Sequence, residues 1–171
     1  MGMAVLVIDM QDHFLRSVID DVNVLINNQI KVLHFCAEHA IPVAILEYHG
    51  DGPTISALQN KINEVPWHKT FIKLQDDGFS NPELTPWLKE RDVDRLVLMG
   101  VNSCFCVKQT ALGGKLHGFE IATSSALVSC PHEAESREHL ELYFFAAFDF
   151  QFSLDQLFEY MAAAPQSKSA F

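Results

Sequence analysis

The chain has 171 residues, of which 49% are hydrophobic and 20% charged, a balance typical of one folded domain that buries its own core. Its formal net charge is -10 and its Lys and Arg do not cluster, which argues against nucleic acids and anionic membranes as partners. Four cysteines without framework spacing indicate a reducing compartment. We therefore expect a cytoplasmic protein with a single domain over 1–171, of which 165–171 form a frayed tail.

Short apolar runs alternate with segments of helical periodicity along the whole chain. The predicted elements in chain order are strand 4–9, helix 17–40, strand 41–48, a loop with one short helix over 50–68, strand 69–74, helix 81–92, strand 95–101, helix 104–117, strand 119–127, helix 133–147, strand 148–152 and helix 154–163. Near-continuous apolar strands between helices predict an α/β fold, with a mainly parallel sheet of about six strands covered on both faces.

Reactive side chains follow several of these predicted strands, at the edge where the active sites of parallel sheets gather. Asp9 ends the first strand, Glu47 and His49 end the second, and Lys73 ends the third. The fourth leads into "VNSCFCVKQTALGGK", which contains Cys106 near the start of a predicted helix. An acid, a lysine and a cysteine at one edge indicate nucleophilic catalysis, because the acid takes the thiol proton and the cation favours the thiolate.

Three short motifs that contain these residues occur in the right order for one known family. "AVLVIDMQDHF", "KLQDDGF" and "LVLMGVNSCFCV" together resemble the isochorismatase-like cysteine hydrolases, over about residues 4–160. The matching positions are Asp9, Gln11, Phe14, Lys73, Phe79, Gly100, Val101, Cys106, Val107 and Thr110. The other cysteine of the third motif, Cys104, falls where the family usually has a polar residue, so we expect a structural role for it.

The resemblance implies a three-layer α/β/α sandwich and a catalytic triad of Asp9, Lys73 and Cys106. In the family chemistry Cys106 attacks the carbonyl of a small amide, carbamoyl or related compound and forms a thioester, with Asp9 as the base and Lys73 holding the charged pair. The family also has a non-proline cis peptide before the cysteine, here Val101–Asn102. That peptide would direct the N–H groups of Asn102 and Cys106 toward the oxyanion.

We expect the substrate pocket to include aromatic and loop residues near these strand ends. The candidates are Phe14, His49, Trp67, Phe79 and Val101. Metal-dependent amidases of the family carry Asp-x-His after the second strand, and Glu47 with His49 imitates that pair, leaving His68 as a distant third ligand. The histidine-containing stretch that should follow is missing, so we expect neither a metal nor a cofactor.

Two alternatives to the hydrolase interpretation stay open. One is a catalytically silent member of the family that binds a ligand or partner, which a low-pKa thiolate at Cys106 beside Asp9 and Lys73 would argue against. The other is a thiol redox protein with a disulfide between Cys104 and Cys106. We also expect a homo-oligomer, with the apolar stretch 140–152 either as its interface or as part of the core.

Overall fold

The computed structural model describes residues 2–18, 20–131, 143–144 and 146–163. The strands are β1 (Gly2–Ile8), β2 (Val43–Tyr48), β3 (His68–Lys73), β4 (Val93–Gly100), β5 (Glu120–Val128) and β6 (Asp149–Gln151). The α-helices are α1 (Asp12–Leu15), α2 (Val22–His39), α3 (Ser56–Ile62), α4 (Leu84–Lys89), α5 (Lys108–Leu116) and α6 (Leu154–Ala163). A 3-10 helix spans Gly78–Ser80, and a π-helical turn spans Ser103–Val107.

The six strands form one parallel sheet in the order β3-β2-β1-β4-β5-β6. Every residue of β1 is buried, and successive side chains enter opposite cores because a strand has a period of two. Val5 and Val7 pack into one apolar cluster, while Leu6 and Ile8 pack into the other. The order of strands reverses between β1 and β4, the position where open α/β sheets bind their ligands. The predicted α/β fold is confirmed.

Gly100 brings the carboxyl ends of β1 and β4 into unusually close contact. Its φ is +139°, and a Cβ at this position would lie 2.0 Å from the carbonyl oxygen of Ile8. The next residue, Val101, donates a backbone hydrogen bond of 3.1 Å to that same oxygen. Only glycine satisfies both the backbone angle and the contact. As a result, the residue after β1 and the segment after β4 lie side by side.

The predicted strands agree with those observed, and the differences lie in the helices. The predicted helix 17–40 is shorter than expected: it begins at Val22, because the Asp21 carboxylate caps it there, and it ends at His39. The segment 104–117 opens as the π-helical turn before α5 begins at Lys108. Most of the predicted helix 133–147, and all of the tail 165–171, lie outside the described residues.

The described part of the apolar stretch 140–152 contributes two aromatic side chains to the core, while Phe152 is exposed. Phe144 and Phe150 are buried, and both belong to the apolar cluster around Leu6. Residues 140–142 and 145 lie outside the described part. The predicted homo-oligomer therefore stays a prediction. Among the described residues, no helix combines the length and the apolar composition needed to cross a membrane.

The cap of α2 gives a direct test of this local structure. The Asp21 carboxylate accepts hydrogen bonds from the backbone N–H groups of Asn23 at 2.9 Å and Val24 at 3.4 Å. We expect Asp21→Ala to lower the free energy of unfolding by about 1 kcal/mol, because two helix N–H groups lose their acceptor. Urea denaturation measures this change. Asn23→Ala in the same turn is the control and should cost clearly less, since it keeps the cap.

Candidate active site

Asp9, Lys73 and Cys106 meet at the carboxyl edge of the sheet. Asp9 follows β1 directly, and Lys73 is the last residue of β3. Cys106 lies in the π-helical turn after β4, the strand next to β1. The lysine side chain reaches across the end of β2, so that three separate chain segments bring their reactive groups to one point. This is the grouping that the sequence predicts.

Asp9 and Lys73 form a buried ion pair. Lys73 Nζ lies 2.9 Å from Asp9 Oδ2, and the two side chains are 0% and 1% exposed. The ammonium also donates to the carbonyl oxygen of Gln75 at 3.1 Å and lies 4.3 Å from the centre of the Tyr48 ring. Neither Asp9 oxygen has a well-aligned hydrogen bond within the described residues, so Lys73 is the main compensation for its charge.

The backbone holds the Asp9 carboxylate in an uncommon conformation. Asp9 has φ of 51°, in the left-handed region that non-glycine residues seldom occupy. Its N–H donates to Leu46 O at 3.0 Å, and its carbonyl accepts from Gln11 N at 2.7 Å. The Gln11 side chain in turn donates to Tyr48 O at 3.0 Å and accepts from Tyr48 N at 2.8 Å. Such locally strained residues often occur at functional sites, where the surrounding structure holds them in place.

Cys106 lies between two carboxylates. Its Sγ lies 3.6 Å from Asp76 Oδ1 and donates a hydrogen bond to it, and Asp9 is close enough for its charge to act on the thiol. The residue is 5% exposed. Its turn is closed by a hydrogen bond of 3.2 Å from Val107 N to Asn102 O, and the Val101–Asn102 peptide is cis, as the resemblance implies. A small molecule that reached Cys106 would meet both acids.

Burial raises the pKa values of both Asp9 and Cys106. For Asp9, burial dominates and the Lys73 ammonium opposes it, so its carboxylate is a stronger base than an ordinary one. For Cys106, burial again has the largest effect on the pKa, the Asp9 charge adds to it, and Lys73 opposes it. Lys73 does favour the thiolate, as the sequence predicts, but burial and the Asp9 charge outweigh it. The raised pKa favours the neutral thiol over the thiolate in the free protein.

Removing the Asp76 charge should make Cys106 more reactive. Asp76 contributes to the raised pKa of the thiol, so Asp76→Asn lowers that pKa and increases the thiolate fraction at fixed pH. We expect alkylation of Cys106 by iodoacetamide to become roughly threefold faster. The rate rises less than the thiolate fraction does, because a thiolate of lower pKa is a weaker nucleophile. Mass spectrometry of the Cys106 peptide over time measures the rate. Asp92→Asn, at the opposite end of the sheet, should change nothing, and an unchanged rate in Asp76→Asn would contradict this account.

The structure places the five predicted pocket residues in different environments. Phe14 is half-buried beside Tyr48, with ring centres 6.1 Å apart, and Val101 is fully buried next to the cis peptide. His49 is exposed in the turn after β2. Phe79 is buried in the apolar cluster around Leu6 and stacks at 5.0 Å on the exposed His117, so its ring serves the core. Phe14, Val101 and the backbone of His49, whose N–H donates to Lys73 O at 3.0 Å, therefore lie close to the triad.

The assignment of Trp67 to the pocket is wrong. This side chain is 55% exposed and directly precedes β3, at the amino edge of the sheet, where Arg91 lies 5.8 Å from its ring centre. Residues just before a parallel strand lie at the opposite edge from those just after it, so Trp67 and the triad are at different ends of the domain.

The three residues considered as a weak metal set do not come together. Glu47 Oε1 accepts a hydrogen bond of 2.7 Å from Thr54 N, and His49 is exposed. His68 begins β3 opposite Val43, at the other edge of the sheet, and hydrogen-bonds Val65 O at 2.8 Å. Among the described residues, no group of three or more His, Cys, Asp or Glu is arranged to bind a metal ion. We derive no catalytic step through a metal.

Sequence reasoning missed two residues of the site, Asp76 and Tyr48. Asp76 sits in "QDDGF", which reads as a turn, and Tyr48 lies beneath the Lys73 ammonium as the last residue of β2. Asp9 follows β1 and Lys73 ends β3, and β2 lies between these two strands in the sheet. A side chain at the end of β2, such as Tyr48, could therefore have been expected at the site. No disulfide joins the four cysteines, at positions 36, 104, 106 and 130, in the part of the chain that the structure describes.

A family model and several solved structures match this chain. The model described as "Isochorismatase domain" matches residues 3–148. An isochorismatase-like hydrolase from Alkaliphilus metalliredigens has 20% identity and a TM-score of 0.77, with 94% of this chain and 99% of that chain covered. The nicotinamidase SaPncA from Staphylococcus aureus has 21% identity and a TM-score of 0.72, with coverage of 88% and 100%. N-carbamoylsarcosine amidase from Thermoplasma acidophilum has 19% identity and a TM-score of 0.70, with coverage of 88% and 96%.

The chain belongs to the isochorismatase family, because the family model covers most of its length. The class predicted from the three motifs, an isochorismatase-type hydrolase, is confirmed by this membership. The solved structures share its fold at low sequence identity.

Proposed function

We propose that this protein is a cysteine hydrolase that cleaves a C–N bond of a small amide, carbamoyl or related compound through a thioester on Cys106. The observation that carries the proposal is a buried cysteine close to a buried carboxylate that is paired at 2.9 Å with a buried lysine. The similarity to a nicotinamidase and to N-carbamoylsarcosine amidase supports the choice of bond.

In the first half-reaction Asp9 takes the Sγ proton while the sulfur attacks the substrate carbonyl carbon. The C–S bond forms and the carbonyl electrons move to oxygen, giving a tetrahedral oxyanion. When that intermediate collapses, the C–N bond breaks, and the leaving nitrogen receives the proton from Asp9 and departs as ammonia or an amine. Asp9 suits this role better than the exposed Asp76, because its raised pKa brings it closer to neutrality.

In the second half-reaction water completes the hydrolysis. Asp9 removes a proton from the water as its oxygen attacks the thioester carbon, and the C–S bond then breaks. The sulfur recovers the proton, and the acid product leaves. The Lys73 side chain, bound to Asp9 at 2.9 Å, limits the cost of the negative charge that passes between Cys106 and Asp9.

Backbone N–H groups after β4 are the proposed oxyanion donors. The N–H of Asn102 donates no hydrogen bond within the described part of the chain, and Cys106 follows in the same turn. Free N–H groups beside a nucleophile stabilise the oxygen charge that develops during attack. We therefore keep Asn102 and Cys106 as the proposed oxyanion hole.

A screen of primary amides and ureido compounds, with released ammonia as the signal, tests this function. For any substrate found, we expect kcat/KM to rise with pH through the raised pKa of Asp9, since the base acts only when deprotonated. Asp9→Asn should lose this acid limb together with most of the activity. Mass spectrometry of quenched turnover should find an acyl group on Cys106. Turnover without such an adduct, or with full activity in Asp9→Asn, would contradict the mechanism.

The resting state favours one second candidate, a silent member that binds a ligand or partner without turnover. The raised pKa of Cys106 supports this candidate, because a thiol that is not activated as a thiolate is also what a purely structural site would contain. Slow alkylation of the free protein fits both functions. The distinguishing measurement is whether any amide in the screen accelerates acylation of Cys106.

A further inference from the structure

Asp76 is the exposed charged group of the site. Its Oδ1 lies 3.6 Å from Cys106 Sγ, yet the residue is exposed, whereas Asp9 and Lys73 are 0% and 1% exposed. In the mechanism above the buried pair handles the proton and the charge of the thiol. The carboxylate of Asp76 has no role in those steps. At 3.6 Å from Sγ, it lies within contact distance of groups next to a carbon that this sulfur attacks.

The backbone around Asp76 is fixed rather than loose. Its carbonyl accepts a hydrogen bond of 3.4 Å from Thr110 Oγ1, and the same hydroxyl accepts from Gly78 N at 2.9 Å. The neighbouring Asp77 side chain accepts from Phe79 N at 2.9 Å and caps the 3-10 helix. Thr110 on α5 thus holds this turn against the helix that follows Cys106. This hydrogen-bonded turn holds the Asp76 carboxylate close to the Cys106 thiol.

The charge of Asp76 is not neutralised by a basic side chain. Within the described part of the chain, the ion pairs of Lys and Arg involve other acids, and Lys73 is paired with Asp9. Two carboxyl groups therefore share the site with a single basic side chain, which is bound to Asp9. The net charge of -10 on the whole chain adds to the negative electrostatic potential at the site.

We propose that Asp76 determines specificity, selecting amides or ureido compounds that present N–H donors or a positive charge next to the scissile carbonyl, and rejecting carboxylated ones. This inference rests on the proposed function of the same site. An ionised carboxylate only accepts hydrogen bonds, so it binds the N–H side of a substrate and repels its anionic groups. The carbonyl oxygen, which gains negative charge during attack, must point away from Asp76, toward the backbone donors. Asp76 therefore fixes the orientation of the substrate as well as its charge.

A pair of thiol reagents of opposite charge tests the selection without needing a substrate. The 2-(trimethylammonium)ethyl and 2-sulfonatoethyl methanethiosulfonates both form a mixed disulfide with Cys106 and release methanesulfinate. The ratio of their rates cancels the thiol pKa, which acts equally on both. We expect the wild-type ratio of cationic to anionic rates to exceed that of a small free thiol, and to fall about tenfold in Asp76→Asn. It should also fall as salt is added.

Asp92→Asn removes one exposed carboxylate at the other end of the sheet and serves as the matched control. Its rate ratio should equal that of the wild type. An equal fall in both variants would mean that the overall charge acts, and would overturn the proposal. An unchanged ratio in Asp76→Asn would overturn it as well.

Hydrolysis of two amides of similar size separates this inference from the proposed function. β-Alaninamide carries an ammonium group and succinamate carries a carboxylate, at similar distances from a primary amide. We expect the wild type to favour the cationic amide, and Asp76→Asn to reduce that preference about tenfold. A preference for succinamate, or one that Asp76→Asn leaves unchanged, would overturn the assignment of Asp76 while leaving the hydrolase intact. If neither amide is cleaved, the hydrolase proposal is weakened, and the reagent ratio alone decides the role of Asp76.

Discussion

Cys106→Ala should reduce kcat/KM for any amide that this protein hydrolyses by at least about 10³-fold, because removing the nucleophile of a covalent mechanism leaves only binding and oxyanion stabilisation. The substitution deletes one sulfur from a buried position in the apolar cluster that also contains Val107 and Ala111, so the fold should survive it. Ammonia release measures the activity, and circular dichroism confirms that the variant is folded.

Cys104→Ala is the matched control for this prediction. It removes the other cysteine of the same turn, two residues away, and should retain activity close to that of the wild type. A large loss in Cys104→Ala together with activity in Cys106→Ala would exchange the roles of the two thiols. Comparable losses in both variants would indicate that the turn itself, rather than one sulfur, is required.

Breaking the buried ion pair from either side should destabilise the protein strongly. We expect Lys73→Met and Asp9→Asn each to lower the free energy of unfolding by about 3 kcal/mol, because each leaves an uncompensated buried charge. The double variant should lie within about 1 kcal/mol of the wild type, since two neutral groups of similar volume then replace the pair. Urea denaturation of all four proteins completes the cycle. Additive losses in the double variant would mean that the two residues do not compensate each other.

The same pair gives stability a defined dependence on pH. In the folded state the pKa of Asp9 is raised above 3.8, the ordinary value that it has in the unfolded chain. At a pH between these two pKa values, the folded state binds more protons than the unfolded state. Its contribution to stability therefore falls as pH rises through that interval. The difference in unfolding free energy between the wild type and the double variant isolates this effect. That difference should shift against the wild type as pH increases.

The sheet and the triad could be predicted because both depend on simple rules. Buried strands show as apolar runs, and parallel strands bring their carboxyl ends to one edge, which unites Asp9, Lys73 and Cys106 from distant parts of the chain. The same rule excludes Trp67 and His68, since both come at the start of β3 rather than after it. For Trp67 and His68 to belong to the site, the chain just before β3 would have to reach the carboxyl edge of the sheet.

Other features depend on three-dimensional detail that no periodicity encodes. The π-helical turn arises from a hydrogen bond between Val107 and Asn102, which leaves the apolar pattern unchanged. The orientation of Asp76 toward the thiol is fixed by Thr110, a residue 34 positions away in the sequence. The raised pKa of Cys106 follows from the depth of its burial and from the acids around it, so its direction could not be predicted from the motif alone.

Mutational tolerance should differ sharply between two positions that lie close to the same chemistry. No side chain fits at position 100, because the carbonyl of Ile8 occupies the space where a Cβ would be. In a library of all substitutions at position 100, no variant should fold, whichever activity is used for selection. Position 76 is exposed, so its variants should stay folded and be sorted only by the substrate used for selection. The first position is thus closed to evolutionary change, and the second is the natural point at which this scaffold could acquire a new substrate.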